Sequence, residues 1–212
     1  MNTLVGEKPY DRVFDGQTHY RTLLQCTARP GTIGLLDDVA LEIPSQMNRA
    51  TALIALALFS GDTWFYLAQG EEPALQFIQG ETAAQPATAE RADFLILPDL
   101  NRPDARWLDG LRQARLGTLS YPDLGATIVF QVAAISPAPL PGSLRLTLTG
   151  PGIEETAVVF VQGAPETMFE SLREQNAEFP LGVDAFLTCD SHSSGPCVLA
   201  LPRTTRVQWE RI

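Results

Sequence analysis

The chain has 212 residues, 45% hydrophobic and 19% charged, a balance that fits one globular α/β domain over 1–212 with a packed core and excludes a disordered segment. Its formal charge of -10 argues against a generic nucleic-acid-binding face, and Lys8 is the only lysine among its 15 basic residues. Cys26, Cys189 and Cys197 are too few for a disulfide framework, the first twenty residues lack a signal-peptide pattern, and the longest apolar run, Ala52 to Phe59, falls well short of the roughly 20 residues that span a bilayer. The expectation is a soluble cytoplasmic protein that meets no membrane.

Thr18 to Thr27 reads as a short helix with Tyr20, Leu23 and Leu24 on one stripe, stopped by Arg29-Pro30-Gly31, where the glycine accepts a positive φ. Ser45 caps a second helix that runs to about Ser60 and is apolar nearly all round, hence buried on most sides. Trp64 to Leu67 suits a strand rich in aromatics, and Glu72 to Gln79 a helix. The Ala/Pro/Thr stretch from Thr82 to Ala89 is the best candidate for a mobile loop. Phe94 to Leu97 is continuously apolar and ends at Pro98-Asp99, as in a central strand buried on both faces. A helix follows from Pro103 to about Ala114.

Beyond Gly125 strands dominate. Thr127 to Ile135 and Leu144 to Thr149 are strands joined by the proline-rich loop Ser136 to Gly142, and Gly150-Pro151-Gly152 turns the chain toward a further strand over Ala157 to Val161. Pro165 to about Asn176 is a helix with Glu166 and Glu170 near its positive end. Ala185 to Cys189, Val198 to Leu201 and Val207 to Trp209 are short strands close enough to pair antiparallel. The interleaving predicts a three-layer α/β/α arrangement with a mixed sheet.

Catalytic signatures are missing. With one lysine, in a polar terminal arm, the chain holds no phosphate-binding P-loop and no rigid Schiff-base site for pyridoxal phosphate. No G-x-S-x-G elbow accompanies His19 or His192, and no cysteine cluster has iron–sulfur spacing. Cys189, His192 and Cys197 form the one local cluster with metal-ligand character, but three ligands in that spacing match no common zinc site, and a turn between two strands explains the Ser/Gly/Pro content. The expectation is therefore no catalytic residue, no cofactor and no metal. Two places are candidates for ligand or interface contacts: His19 with Arg21 on the first helix, and Arg203, Thr204 and Thr205 after Pro202 together with Asp184, where arginine and hydroxyl donors suit an anion.

Four stretches together, His19 to Leu24 (HYRTLL) with Arg29 to Gly31, Gly125 to Ala133 (GATIVFQVA), Leu144 to Ile153 (LRLTLTGPGI), and Phe179 to Val207 with FPLGVDAFLTC and LALPRTTRV, resemble the PhnH family of the bacterial carbon–phosphorus lyase system. The stretch from Glu71 to Leu119 carries little of that pattern, and the segment from Asp190 to Pro196 is longer than the family's, which counts against His192 or Cys197 as functional. The resemblance implies a fold like the large domain of pyridoxal-phosphate-dependent transferases without the cofactor site, a homodimer, and a place beside subunits G, I and J in a core complex. It implies a non-catalytic or assembly role in forming α-D-ribose 1-methylphosphonate 5-triphosphate from ATP and methylphosphonate. The alternatives are a nucleotide- or phosphonate-binding subunit with a site near Arg203, and a stand-alone metal enzyme.

Overall fold

The computed structural model describes residues 10–68, 72–98, 100, 106–191 and 195–212. The first helix, α1 (Phe14–Ala28), begins earlier than the sequence pattern suggests. The Asp11 carboxylate accepts the Val13 and Phe14 amides at 2.9 and 3.0 Å while the Asp11 amide donates to Asp15 at 2.7 Å, a reciprocal cap. Its apolar side chains do not share one stripe: Leu23 faces the core, whereas Tyr20 and Leu24 are 51% and 55% exposed. After the Arg29-Pro30-Gly31 turn, where Gly31 has φ +97° and a Cβ would collide with that of Ala157, comes the short strand β1 (Ile33–Leu35).

Helix α2 (Arg49–Leu58) is buried as expected, but its cap is Asn48 rather than Ser45, with the Asn48 side chain accepting the Thr51 amide at 2.8 Å. There follow β2 (Trp64–Leu67), α3 (Glu72–Thr82), β3 (Gln85–Pro86) and β4 (Phe94–Leu97). The stretch from Thr82 to Ala89, read as a mobile loop, is instead tied down: β3 pairs with β2, and Ala84 and Ala89 are buried. Helix α4 (Arg106–Arg112) matches the expected helix, whose start at Pro103 lies outside the described residues.

The expected single strand over Thr127 to Ile135 is two strands in two sheets, β5 (Thr127–Gln131) and β6 (Ala134–Ser136). The crossing is made by adjacent amides: Val132 donates to Thr188 of the large sheet and Ala133 to Gln162 of the small one, both at 2.9 Å. The remaining elements are β7 (Leu144–Thr149), β8 (Ala157–Gln162), α5 (Glu166–Gln175), β9 (Asp184–Ser191), β10 (Gly195–Leu201) and β11 (Arg206–Arg211).

Among the described residues the large sheet has the order β1-β10-β9-β5-β4-β2-β3, parallel from β3 through β9 and antiparallel from β9 to β1. It is the mixed sheet of an α/β protein. Its pleat divides the core cleanly: Ile96, Val129 and Phe186 pack under α1, α2 and α3, while Leu95, Leu97, Ile128, Phe130 and Leu187 point to the opposite face. That opposite layer is not helix alone. Helices α4 and α5 share it with an antiparallel sheet of order β11-β7-β8-β6, whose Leu144, Leu146, Leu148, Val159 and Val161 join the same apolar cluster. The pairing of β11 with β7 takes the last strand out of the large sheet, away from β10.

Candidate functional site

Arg203 follows the end of β10 and Asp184 opens β9, so the antiparallel pairing of these strands brings the two together. The Asp184 carboxylate accepts the Arg203 backbone amide at 2.8 Å and the guanidinium through Nη2 at 2.7 Å and Nε at 3.2 and 3.3 Å. The other terminal nitrogen, Nη1, donates to the carbonyls of Pro122 at 2.7 Å and Pro180 at 3.3 Å. All three guanidinium nitrogens are thus bound to protein. The side chains are 12% exposed for Arg203 and 37% for Asp184, so the pair is a largely enclosed clamp that joins three separate segments, at Pro122, Pro180 to Asp184, and Arg203. Thr204 and Thr205 follow in the turn; the Thr205 amide closes it on Pro202 at 2.8 Å, and the buried Thr205 hydroxyl has no hydrogen-bond partner among the described residues.

His19 is fully buried on the inner face of α1. The carbonyl of Asp37, 3.0 Å from Nε2, can only accept, so Nε2 carries the proton and Nδ1 accepts from the Tyr10 hydroxyl at 3.4 Å. Burial, with Asp15 nearby, pushes the Tyr10 hydroxyl up to about 12 and keeps it a donor. Arg21, by contrast, lies exposed on the outer face, so the two candidates on this helix are not brought together. Cys189 and Cys197 stand directly opposite each other across β9 and β10 and are buried free thiols. Their mutual hydrogen bond, and then burial, pushes the Cys189 thiol above its ordinary range. His192 lies outside the described residues, and among those described no group of three His, Cys, Asp or Glu side chains could hold a metal ion.

Two concavities stand out among the described residues, the first formed by residues that the sequence pattern did not single out as a site and the second lined in part by the candidates Arg203, Thr204 and Thr205. The first, of about 420 Å³, lies beyond the carboxyl ends of β4 and β5 at the start of α2, the usual place for ligands in such sheets. Its polar groups are mostly engaged with one another. Asp190 accepts the Arg49 and Ala50 amides at 2.7 and 3.1 Å, Gln131 accepts the Asn48 amide, and its Nε2 donates to the Gln46 carbonyl at 3.0 Å. The positive end of α2 is therefore already occupied by the chain's own carboxylate. Only the Gln46 side-chain oxygen there is buried without a partner among the described residues. The second, a cleft of about 970 Å³, runs between the carboxyl end of α5, the turn at Gly150-Pro151 and the segment from Leu201 to Gln208. Arg173 lines it from a generic helix position that carries no recognisable motif, and Arg206 from the start of β11, where it is the second arginine of the Arg203-Thr204-Thr205-Arg206 run of donors.

Comparison with known proteins gives one consistent match. A family model described as "Bacterial phosphonate metabolism protein (PhnH)" matches residues 9–208. The chain is 33% identical over 202 residues, 94% of each protein, to the "Alpha-D-ribose 1-methylphosphonate 5-triphosphate synthase subunit PhnH" of Rhizobium meliloti (strain 1021). It is 33% identical over 193 residues, 90% of this chain and 85% of the other, to the "Putative C-P lyase subunit protein HtxG" of Stutzerimonas stutzeri.

Proposed function

We propose a function from one premise: this chain belongs to the PhnH family of bacterial phosphonate metabolism proteins. It is a non-catalytic assembly subunit of a carbon–phosphorus lyase core complex, alongside subunits G, I and J, and is needed there for forming α-D-ribose 1-methylphosphonate 5-triphosphate from ATP and methylphosphonate. The observation that carries this reading is the 33% identity spread over 94% of both chains. The arrangement of the candidate donors supports a role without chemistry. Arg203 is held by Asp184 and two carbonyls, which disfavours it as the anion-binding residue of a nucleotide or phosphonate site.

The protein acts in the cytoplasm as a homodimer, one domain per chain. A single apolar cluster that includes side chains of both sheets supports the one-domain reading, and no described helix is long and apolar enough to cross a membrane. The outer face of α1 supports the dimer: Val13, Tyr20 and Leu24 fall on one exposed stripe. The fold resembles the large domain of pyridoxal-phosphate-dependent transferases without the cofactor site, a reading that the parallel inner strands of the large sheet support. The lone lysine, Lys8, supports that absence.

Co-expression with the other core subunits, followed by size-exclusion chromatography with light scattering and an adenine-release assay, tests the main reading. Incorporation of the chain, with adenine release from ATP and methylphosphonate depending on it, is the expected result. A chain that elutes apart and leaves adenine release unchanged would remove the proposal.

A further inference from the structure

The cleft between α5 and β11 has a character unlike the rest of the molecule. The chain carries 25 acidic residues against 15 basic ones, yet none of the residues lining this cleft is Asp or Glu, and three of them, Arg173, Arg203 and Arg206, are arginines. Arg203 is neutralised by Asp184. Arg173 lies over the Trp209 ring at 5.3 Å, and neither it nor Arg206 has a carboxylate partner among the described residues. Glu210 and Arg211, the other charges of β11, are committed to Arg145 at 2.6 Å and Glu166 at 3.0 Å, so Arg206 is the uncommitted charge of that strand.

Three further features point the same way. The Thr205 hydroxyl, in a residue 9% exposed, is buried at the cleft without a hydrogen-bond partner among the described residues, a state that costs stability unless something outside the free chain completes it. Buried Phe169, Leu172 and Leu201 supply an apolar wall, while the Phe179 ring stands 68% exposed at the same cleft. Finally, β11 is an edge strand, paired with β7 on one side, so an extended chain can add to its open side through backbone hydrogen bonds.

We propose that this cleft is the docking site for an extended, acidic segment of a different subunit, whose carboxylates pair with Arg173 and Arg206 while an apolar side chain seats against Phe169, Leu172 and Phe179. An excess of positive charge in an otherwise acidic chain selects an acidic partner and steers its approach. Arginines beside an apolar wall are the combination that concentrates binding energy at interfaces. The partner's segment also supplies the missing bond to Thr205. This inference rests on the assembly role proposed above and specifies the surface that performs it.

The test uses the full chain co-expressed with its companion subunits, with competition between wild type and variants for incorporation as the readout and circular dichroism as the check on folding. Arg173→Glu with Arg206→Glu should lower incorporation by about 100-fold, with less than this for either change alone. Thr205→Val gives a signature that a structural role cannot: the free chain becomes no less stable, because an unpaired buried hydroxyl is removed, while incorporation falls several-fold. Equal incorporation of wild type and the double charge reversal overturns the docking site and leaves the assembly role standing; failure of the wild type itself to incorporate overturns both. Dissociation of a homodimer by the same changes means that the cleft faces a second copy, and loss of ATP or methylphosphonate binding with assembly intact means that it is a small-anion site; either result overturns the inference.

Discussion

Replacing Arg203 by alanine should cost the fold, not a binding activity. The substitution removes a forked ion pair to Asp184 and the charged donor of the Pro122 and Pro180 carbonyls. Breaking a fully buried pair costs about 3–5 kcal/mol. Asp184 is 37% exposed and keeps its bond from the Arg203 amide, so water can take over part of the load and about 2–3 kcal/mol is expected. For a chain of this size that corresponds to a fall in Tm of about 5–10 °C. Arg203→Lys keeps the charge but not the fork and should lie between. Gly125 provides an independent handle. Its backbone, φ -61° and ψ 140°, suits alanine, so only space can object: a Cβ would come 2.7 and 2.8 Å from the two terminal guanidinium nitrogens and would also meet the Gly182 carbonyl. Gly125→Ala should therefore destabilise the wild type more than it destabilises Arg203→Ala. Urea unfolding followed by tryptophan fluorescence and circular dichroism measures all four proteins. Strict additivity, or a loss below about 0.5 kcal/mol for Arg203→Ala, would refute the clamp.

Asp190→Ala should cost about 1–2 kcal/mol and speed amide exchange in the first turn of α2, with Asp190→Asn losing less because it can still accept from Arg49 and Ala50; urea midpoints and hydrogen exchange read this. The buried thiols of Cys26, Cys189 and Cys197 should resist a thiol reagent in the folded chain and react fully in urea. Burial lifts the Cys26 thiol to about 11, so between about pH 9 and 11 the unfolded chain gives up a proton that the folded one keeps, and stability should fall across that window; substitution by alanine should flatten the fall. Tyr20→Glu with Leu24→Glu should convert a dimer to a monomer by light scattering while leaving unfolding within about 0.5 kcal/mol per exposed site.

Much of the scaffold was readable because local pattern and final environment agree. Phe94 to Leu97 is apolar throughout since Leu95 and Leu97 meet one cluster and Ile96 the other, and Leu144 to Thr149 alternates because one face of β7 meets the core. The division of Thr127 to Ile135 was hidden for the same reason: both strands are apolar, and the change of sheet at Val132 and Ala133 is made by backbone amides, which leave no mark on side-chain periodicity. In α1 the apolar residues lie on two faces, so counting them assigned Tyr20 and Leu24 to the core and left the outer stripe unseen. The site was half legible. Pro-Arg-Thr-Thr marked the right segment, but which donors are already satisfied depends on Asp184, Pro180 and Pro122, which lie about 20 to 80 residues from Arg203 in the chain, and Arg173 and Asp190 stand in contexts that any surface residue could occupy.

The distribution of satisfied and unsatisfied groups separates interior from surface. Inside, the places where an α/β protein ordinarily receives a ligand are filled by the chain itself: Asp190 and Asn48 cap α2, Gln131 uses both ends of its amide, and Asp184 holds Arg203. Outside, the α1 stripe exposes apolar area, and among the described residues the cleft at α5 offers two arginines without acids and a Thr205 hydroxyl without a hydrogen-bond partner. Neutral drift on a retired enzyme fold would leave loosened polar groups in the old crevice and an ordinary surface. Here the crevice keeps one buried atom without a partner among the described residues, the Gln46 side-chain oxygen, while its other named polar groups are engaged with one another, and the exposed apolar stripe and the uncommitted arginines lie on the surface, where a neighbouring protein can complete them.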